Sequence, residues 1–264
     1  MDWLRIAQAL PVGRSRKIQH DCSPNGDRSL SVSNEPECWR GFCYRCKEKL
    51  YEAKRLSLGE LIKINQDRRD ADKTLRTQAM PEPAVRKWED WPVEAQLWLL
   101  KAGIGEVDAI KLGIYYHEPS MRVVLPYPGT HHWQARAVMA GHKPKYISDG
   151  GEREVALLRD KVDKGYSVVL TEDLLSTYKM HMAGRSAMPL LGTTLHDEHL
   201  AKLLAWGRSV SVWLDPDEAG QTAARKIGKR LDVFGVDYRN VLGEYDPKLY
   251  TRDEINIILE NVWR

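Results

Sequence analysis

Ser209-Val210-Ser211-Val212-Trp213-Leu214-Asp215-Pro216-Asp217 is the stretch on which the fold turns, read together with the earlier Tyr166-Ser167-Val168-Val169-Leu170-Thr171-Glu172. Each is a short apolar-rich run that ends in carboxylates. Helix-like segments follow them at 174–183 and 219–231, and the alternation continues through a strand at 187–191, a helix at 198–206 and a strand at 236–242. Strands alternating with helices build βαβ crossovers, so the expected class is α/β with a largely parallel sheet flanked by helices. Ligands bind such sheets at the carboxyl ends of the strands, which is where Glu172, Asp215 and Asp217 fall. Three carboxylates at one crest suit a hard divalent cation, Mg²⁺ or Mn²⁺. Mg²⁺ takes one or two protein carboxylates and keeps waters and substrate phosphates as its other ligands.

Asp-x-Asp is a weak signal alone, because one aspartate can serve simply as the N-cap of the next helix. An EF-hand is excluded by spacing: counting from Asp215 puts Ala219 at the fifth position and Lys226 at the twelfth, where ligands are needed. The pairing of a strand–Glu with a strand–Asp-x-Asp carries the argument.

Working outward, the 264 residues are 42% hydrophobic and 29% charged, which supplies a packed core and argues against disorder. No apolar run approaches the roughly 18 residues of a membrane span. The start, Met1-Asp2-Trp3-Leu4-Arg5-Ile6-Ala7, lacks a secretory apolar segment, so a cytoplasmic location is expected. Lys and Arg number 40 against 37 Asp and Glu, a net charge of +3 that permits nucleic-acid binding without arguing for it. One region is different. From Pro119 to Ser148 there is no Asp or Glu, while Arg122, Arg136, Lys143 and Lys145 are present. That stretch carries a local positive field, and these four residues are the candidates for neutralising phosphate.

The cysteines are confined to one end, at Cys22, Cys38, Cys43 and Cys46. A disulfide scaffold would spread them through the fold, so a local metal site fits better. Cys43-Tyr44-Arg45-Cys46 has the spacing of a zinc knuckle, and His20-Asp21-Cys22 offers a second pair. Residues 29–33 and 39–43 read as a β-hairpin around Asn34-Glu35-Pro36-Glu37. In that hairpin Cys38 sits by the turn, about 16 Å of extended chain from Cys43, whereas zinc ligands lie about 2–2.3 Å from the ion. The expected set is therefore His20, Cys22, Cys43 and Cys46 around one structural zinc; the alternatives are Cys38 in place of His20, or four incidental thiols. Arg40, Arg45, Lys47 and Lys49, with Trp39, Phe42 and Tyr44, surround the site and suit phosphate contact and base stacking.

Val169-Leu170-Thr171-Glu172 and Leu214-Asp215-Pro216-Asp217-Glu218-Ala219-Gly220, each followed by a helix, resemble the two motifs of the TOPRIM fold of primases, topoisomerases and some nucleases. The preceding zinc ribbon narrows the resemblance to the DNA primases of bacteria and their phages. Leu99-Leu100-Lys101-Ala102-Gly103-Ile104, Leu112-Gly113-Ile114 and Met121-Arg122-Val123-Val124-Leu125-Pro126-Tyr127 are similar to the opening of their polymerase domain. Gly192-Thr193-Thr194-Leu195 and Asp246-Pro247-Lys248 are similar to later stretches of it. The glycine usual after the TOPRIM glutamate is Asp173 here, placed to cap the next helix.

The resemblance implies four regions: a zinc-ribbon template-binding domain at 1–56, a linker at 57–92, a basic subdomain at 93–165 and a TOPRIM subdomain at 166–264. Within the linker, a short helix at 58–64 and a charged stretch at 66–73 precede Met80-Pro81-Glu82-Pro83. The resemblance further implies synthesis of short RNA primers on a single-stranded DNA template from ribonucleoside triphosphates. Glu172, Asp215 and Asp217 would hold Mg²⁺ or Mn²⁺, with Glu172 as ligand or general base, and Asp246 and Lys248 would complete the nucleotide site. No Gly-x-x-x-x-Gly-Lys-[Ser/Thr] occurs, so a separate replicative helicase is the expected partner. If the chain is phage-encoded, its cytoplasm is the host's. A TOPRIM nuclease and a catalytically inactive zinc-ribbon adaptor are the rival readings.

Overall fold

A hairpin with one apolar face needs further strands and a covering element, and the first fifty residues supply both. In this computed structural model, which describes residues 2–23, 25–77, 80–139, 142–149, 155, 156, 158 and 167–264, they begin with helix α1 (Trp3–Gln8). Strands β1 (Ser15–Ile18), β2 (Leu30–Asn34), β3 (Cys38–Cys43) and β4 (Lys49–Ala53) follow as an antiparallel sheet in that order. Leu30 pairs with Cys43 and Asn34 with Trp39, the hairpin expected. Ala7 of α1, with Trp3 and Ile6 beside it, closes over Ile18, Leu30, Val32 and Cys43. Helix α1, β1 and β4 are too short or too polar to leave a pattern in the sequence.

Residues 57–92 contain more structure than a tether. Helix α2 (Leu58–Thr77) runs straight through the charged stretch. It starts at a capping box: Glu60 accepts from the Ser57 backbone at 2.7 Å and the Ser57 hydroxyl accepts from the Glu60 N–H at 3.3 Å. Strand β5 (Ala84–Val85) then pairs with β6 (Tyr115–His117), beyond helices α3 (Val93–Lys101) and α4 (Glu106–Lys111). Strands β7 (Arg122–Pro126), β8 (Trp133–Ala137) and β9 (Tyr146–Ser148) complete a five-stranded sheet of order β5-β6-β7-β8-β9. The ribbon is fastened to this region. Ser31 donates to Glu94 at 3.0 Å, Ser15 accepts from the Val93 N–H at 2.9 Å, and Arg14 pairs with Glu118 at 2.9 Å.

The α/β half follows the expected rhythm: β10 (Ser167–Thr171), α5 (Leu174–Met182), β11 (Ala187–Pro189), α6 (Asp197–Trp206), β12 (Ser209–Val212), α7 (Glu218–Val233), β13 (Tyr238–Asn240) and α8 (Arg252–Val262). The sheet is parallel, in the order β11-β10-β12-β13. Every residue of β10 is buried. Val168 and Leu170 enter one core with Leu200, Val212 and Ile227, while Val169 enters another with Met180, Trp213 and Leu259. Covering on both faces explains why the strand reads as a continuous apolar run rather than an alternation. Tyr166, read as its first residue, lies outside the described residues, as do residues 140 and 141 of the basic stretch.

The chain folds as two compact units, one of residues 1–99, 105–124 and 135–150 and the other of residues 100–104, 125–134 and 151–264. The ribbon belongs to the first. The parallel sheet belongs to the second.

Candidate functional site

Strand register sets the crest of the parallel sheet. Leu170 lies opposite Val212, so Glu172, two residues on, ends level with the loop that carries Asp215. Both helices that leave the crest are capped by its own acids. Asp173 accepts from the Ser176 N–H at 2.7 Å to start α5, and Asp217 accepts from the Gly220 N–H at 2.7 Å to start α7. Gly220 is needed for a steric reason: a Cβ there would lie 2.2 Å from the Asp215 carbonyl oxygen. The first turn of α7 can therefore pack on the Asp215 backbone only with glycine at this position.

Lys248, in the 3₁₀ turn Pro247–Leu249, closes the crest from the other side. Its Nζ is 2.9 Å from Asp246 Oδ2, 3.0 Å from Asp173 Oδ2 and 3.5 Å from Asp215 Oδ2. Burial alone would favour loss of the Lys248 proton, but Asp173, Asp246 and Asp215 outweigh it and hold the ammonium above the usual lysine range. Burial raises Glu172 above the usual carboxylate range, and the charges of Asp215, Asp217 and Asp173 add to the effect. Asp215 is raised chiefly by burial, against the opposing pull of Lys248.

The residues present fit a divalent cation. Asp215 Oδ1 is buried and has no hydrogen-bond partner among the described residues, which is costly unless something positive approaches it. The capping bond occupies only Oδ1 of Asp217. Burial, and then the charges of its acidic neighbours, disfavour the carboxylate form of Glu172. Beside Asp217 lies an open groove of about 640 Å³, bordered by Thr193, Thr194, Glu218, Thr222 and Lys226, within the size range of small-ligand sites.

The ribbon holds a tighter cluster. The ligand atoms of His20, Cys22, Cys43 and Cys46 all lie within 4.8 Å of one another, the one such group among the described residues. Cys22 Sγ is 3.4 Å from Cys43 Sγ, and His20 Nδ1 is 3.1 Å from Cys22 Sγ and 3.6 Å from Cys46 Sγ. Tetrahedral zinc with Zn–S near 2.3 Å requires comparable spacings. Burial pushes the Cys43 thiol up, but the Cys46 and Arg45 backbone N–H groups, Ser29 and Cys22 bring it down to about 6, favouring the thiolate a metal needs. Cys38 is at the opposite end of β3, beside Glu35 at 3.7 Å. The crest carboxylates form no such tight group among the described residues.

The basic candidates meet different fates. Arg122 is fully buried, with Nη2 at 3.5 Å from His142 Nε2. Arg136 stacks its guanidinium on Tyr146 at 4.8 Å and on Trp98 at 5.6 Å. Only Lys143 and Lys145 extend into solvent. These four lie in the first unit, and Asp246 and Lys248 lie with Glu172, Asp215 and Asp217 in the second. On the ribbon, Arg40, Lys49, Phe42, Tyr44 and Tyr51 border a groove of about 510 Å³.

Two contacts carry no sequence signal. Glu48 Oε2 is 3.2 Å from His20 Nε2, the second-layer contact that orients a metal-binding imidazole. Sequence gives Asp173 only the capping of α5, yet its second oxygen also binds Lys248.

Residues 171–249 match a family model described as Toprim-like. Among solved structures, the zinc-binding and RNA polymerase domains of the Aquifex aeolicus primase align with a TM-score of 0.53 at 16% identity, covering 99% of this chain and 83% of that one. The RNA polymerase domain of Mycobacterium tuberculosis primase DnaG aligns with a TM-score of 0.51 at 17% identity, over 77% and 84% of the two chains. A DnaG primase catalytic domain bound to single-stranded DNA gives 0.53 at 15% identity, over 76% and 82%. The likeness is one of fold. No curated protein sequence matches the chain.

Two measurements test these sites. The purified chain is expected to carry one zinc, lost in Cys43→Ser and kept in Cys38→Ser, by atomic absorption; zinc loss in Cys38→Ser would contradict the ligand set. For the crest, a raised carboxylate means that the folded state binds protons more tightly than the unfolded one, so its contribution to stability falls as pH rises through that range. In zinc-loaded, Mg²⁺-free protein near neutral pH, Glu172→Gln should raise the melting temperature and flatten this part of its pH dependence. A lower melting temperature would contradict the crowding of charge at Glu172.

Proposed function

We propose that this chain is a DNA primase, a template-dependent nucleotidyltransferase that makes short RNA primers on single-stranded DNA for replication. The observation that carries this reading is the acidic crest of Glu172, Asp215 and Asp217 on a Toprim-like segment that follows a Cys/His ribbon in the chain, with one buried carboxylate oxygen, Asp215 Oδ1, that has no hydrogen-bond partner among the described residues. Similar folds include primase catalytic cores, one of them described with single-stranded DNA bound.

The 3′-hydroxyl of one ribonucleotide attacks the α-phosphate of the next; its O–H bond breaks and the proton passes to solvent, a P–O bond forms, the α–β anhydride breaks, and pyrophosphate leaves. Asp215 Oδ1, the uncapped oxygen of Asp217 and Glu172 are the groups that would hold Mg²⁺, which when bound would lower the hydroxyl's pKa and offset charge on the attacking and leaving oxygens. Lys143 and Lys145 neutralise backbone or triphosphate charge, with Arg122 and Arg136 supporting the basic subdomain from inside. Residues 1–56 hold the template, with Phe42, Tyr44 and Tyr51 as stacking surfaces and Arg40 and Lys49 as phosphate partners. The linker at 57–92 joins them to the basic subdomain at 93–165 and the TOPRIM subdomain at 166–264. Zinc held by His20, Cys22, Cys43 and Cys46 would keep the ribbon folded, and a helicase on another chain, phage or bacterial, opens the template.

Labelled ribonucleotides, single-stranded DNA and Mg²⁺ test the proposal. Template-dependent oligomers are expected, and Asp215→Asn should reduce them by about 10²–10³-fold or more while zinc and folding survive. Shortened template would identify a nuclease. Neither product, with template still bound, would identify an adaptor.

A further inference from the structure

Enzymes that transfer or cleave phosphodiesters commonly clamp the reacting phosphate between two divalent ions about 3.5–4 Å apart. Such pairs need enough free carboxylate oxygens for both ions, and in this crest half of the oxygens of Glu172, Asp173, Asp215, Asp217 and Asp246 are already engaged. Asp173 has none left, since Oδ1 takes the Ser176 N–H and Oδ2 takes Lys248. Asp246 Oδ2 is on Lys248 as well. Asp215 is divided: Oδ2 faces the ammonium at 3.5 Å and Oδ1 has no hydrogen-bond partner among the described residues.

We infer that the Lys248 ammonium stands in the place of a second catalytic cation, so that the crest takes one divalent ion rather than two. Asp215 Oδ2 faces the ammonium, and Oδ1 is left as the oxygen that would hold the single divalent ion. The inference rests on the nucleotidyl-transfer reading of the same site.

Three observations support a resident role rather than a passing contact. The N···O distances of 2.9–3.5 Å suit an ammonium, whereas Mg²⁺ would draw the same oxygens to about 2.0–2.1 Å. Lys248 is held by its backbone: the Leu249 N–H donates to the Asp246 carbonyl at 2.9 Å, and Pro247 beside it is buried. Its side chain is only 19% exposed, so the charge is largely removed from water and compensated by three carboxylates.

The test counts Mn²⁺ by electron paramagnetic resonance in the full, zinc-loaded chain, with ions assigned to the crest by their loss in Asp215→Asn. One crest Mn²⁺ per chain is expected in the wild type and in Lys248→Arg, which keeps the charge. Two are expected in Lys248→Ala, where Asp173, Asp246 and Asp215 Oδ2 are released. Two in the wild type would overturn the inference without any variant. One in a Lys248→Ala chain with unchanged zinc content and circular dichroism would overturn it too. The count does not depend on primers being made: a chain with one crest Mn²⁺ and no primer synthesis refutes the proposed reaction and leaves the cation assignment standing.

Discussion

Like charges forced together at the carboxyl end of a parallel sheet are the constraint on which the functional half depends. Strands β10 and β12 run side by side in register, so Glu172 and the Asp215 loop cannot avoid one another. The fold contains the repulsion in two ways. Asp173 and Asp217 each spend an oxygen on a helix N-terminus, where the backbone N–H groups and the helix dipole favour negative charge. Lys248 neutralises a second group of oxygens. What remains is a small set of partially buried oxygens, Asp215 Oδ1 among them without a partner among the described residues, which is the condition under which a divalent ion binds. Glycine at position 220 belongs to the same arrangement, because only its missing Cβ lets α7 begin against the Asp215 carbonyl.

The ribbon solves the reverse problem. Its core is a thin layer under α1, and a metal held by the neighbouring Cys/His cluster would add to the limited apolar burial. Antiparallel register puts Cys43 opposite Leu30 and so near Cys22 and His20, while Cys38 is carried to the other end of the same strand. Glu48 then fixes the imidazole from behind. Hydrogen bonds and an ion pair from Arg14, Ser15 and Ser31 to the segment around α3 and β6 bind the ribbon within its unit, which a reading of the tether by composition alone misses.

Legibility follows the physics of each element. Strands β10 and β12 are readable because both of their faces are covered, and the capping of α5 by Asp173 because caps are local. The clustering of His20, Cys22, Cys43 and Cys46 is readable because a hairpin converts sequence distance into spatial distance. Resemblance places Lys248 near the nucleotide site, but its grip on three aspartates comes from a turn 33 residues beyond Asp215, and no periodicity encodes that. Arg122 illustrates the opposite failure: charge type says nothing of burial, and this arginine is interior. The start of α2 is legible as the short helix at 58–64, but its continuation through the charged stretch is not, because that stretch carries no apolar stripe. Helix α8 leaves a clear pattern, Ile255, Ile258, Leu259 and Val262 behind the capping box of Thr251 and Glu254, that the strand–helix rhythm alone does not draw on.

The most direct measurement is the anomalous scattering of Mn²⁺ in crystals soaked with a non-hydrolysable ribonucleoside triphosphate. A peak is expected about 2.1–2.2 Å from Asp215 Oδ1, with Glu172 and Asp217 beside it and triphosphate oxygens on the same ion. A peak away from these carboxylates, or a triphosphate seated elsewhere in the chain, would contradict the assignment of the chemistry to this crest.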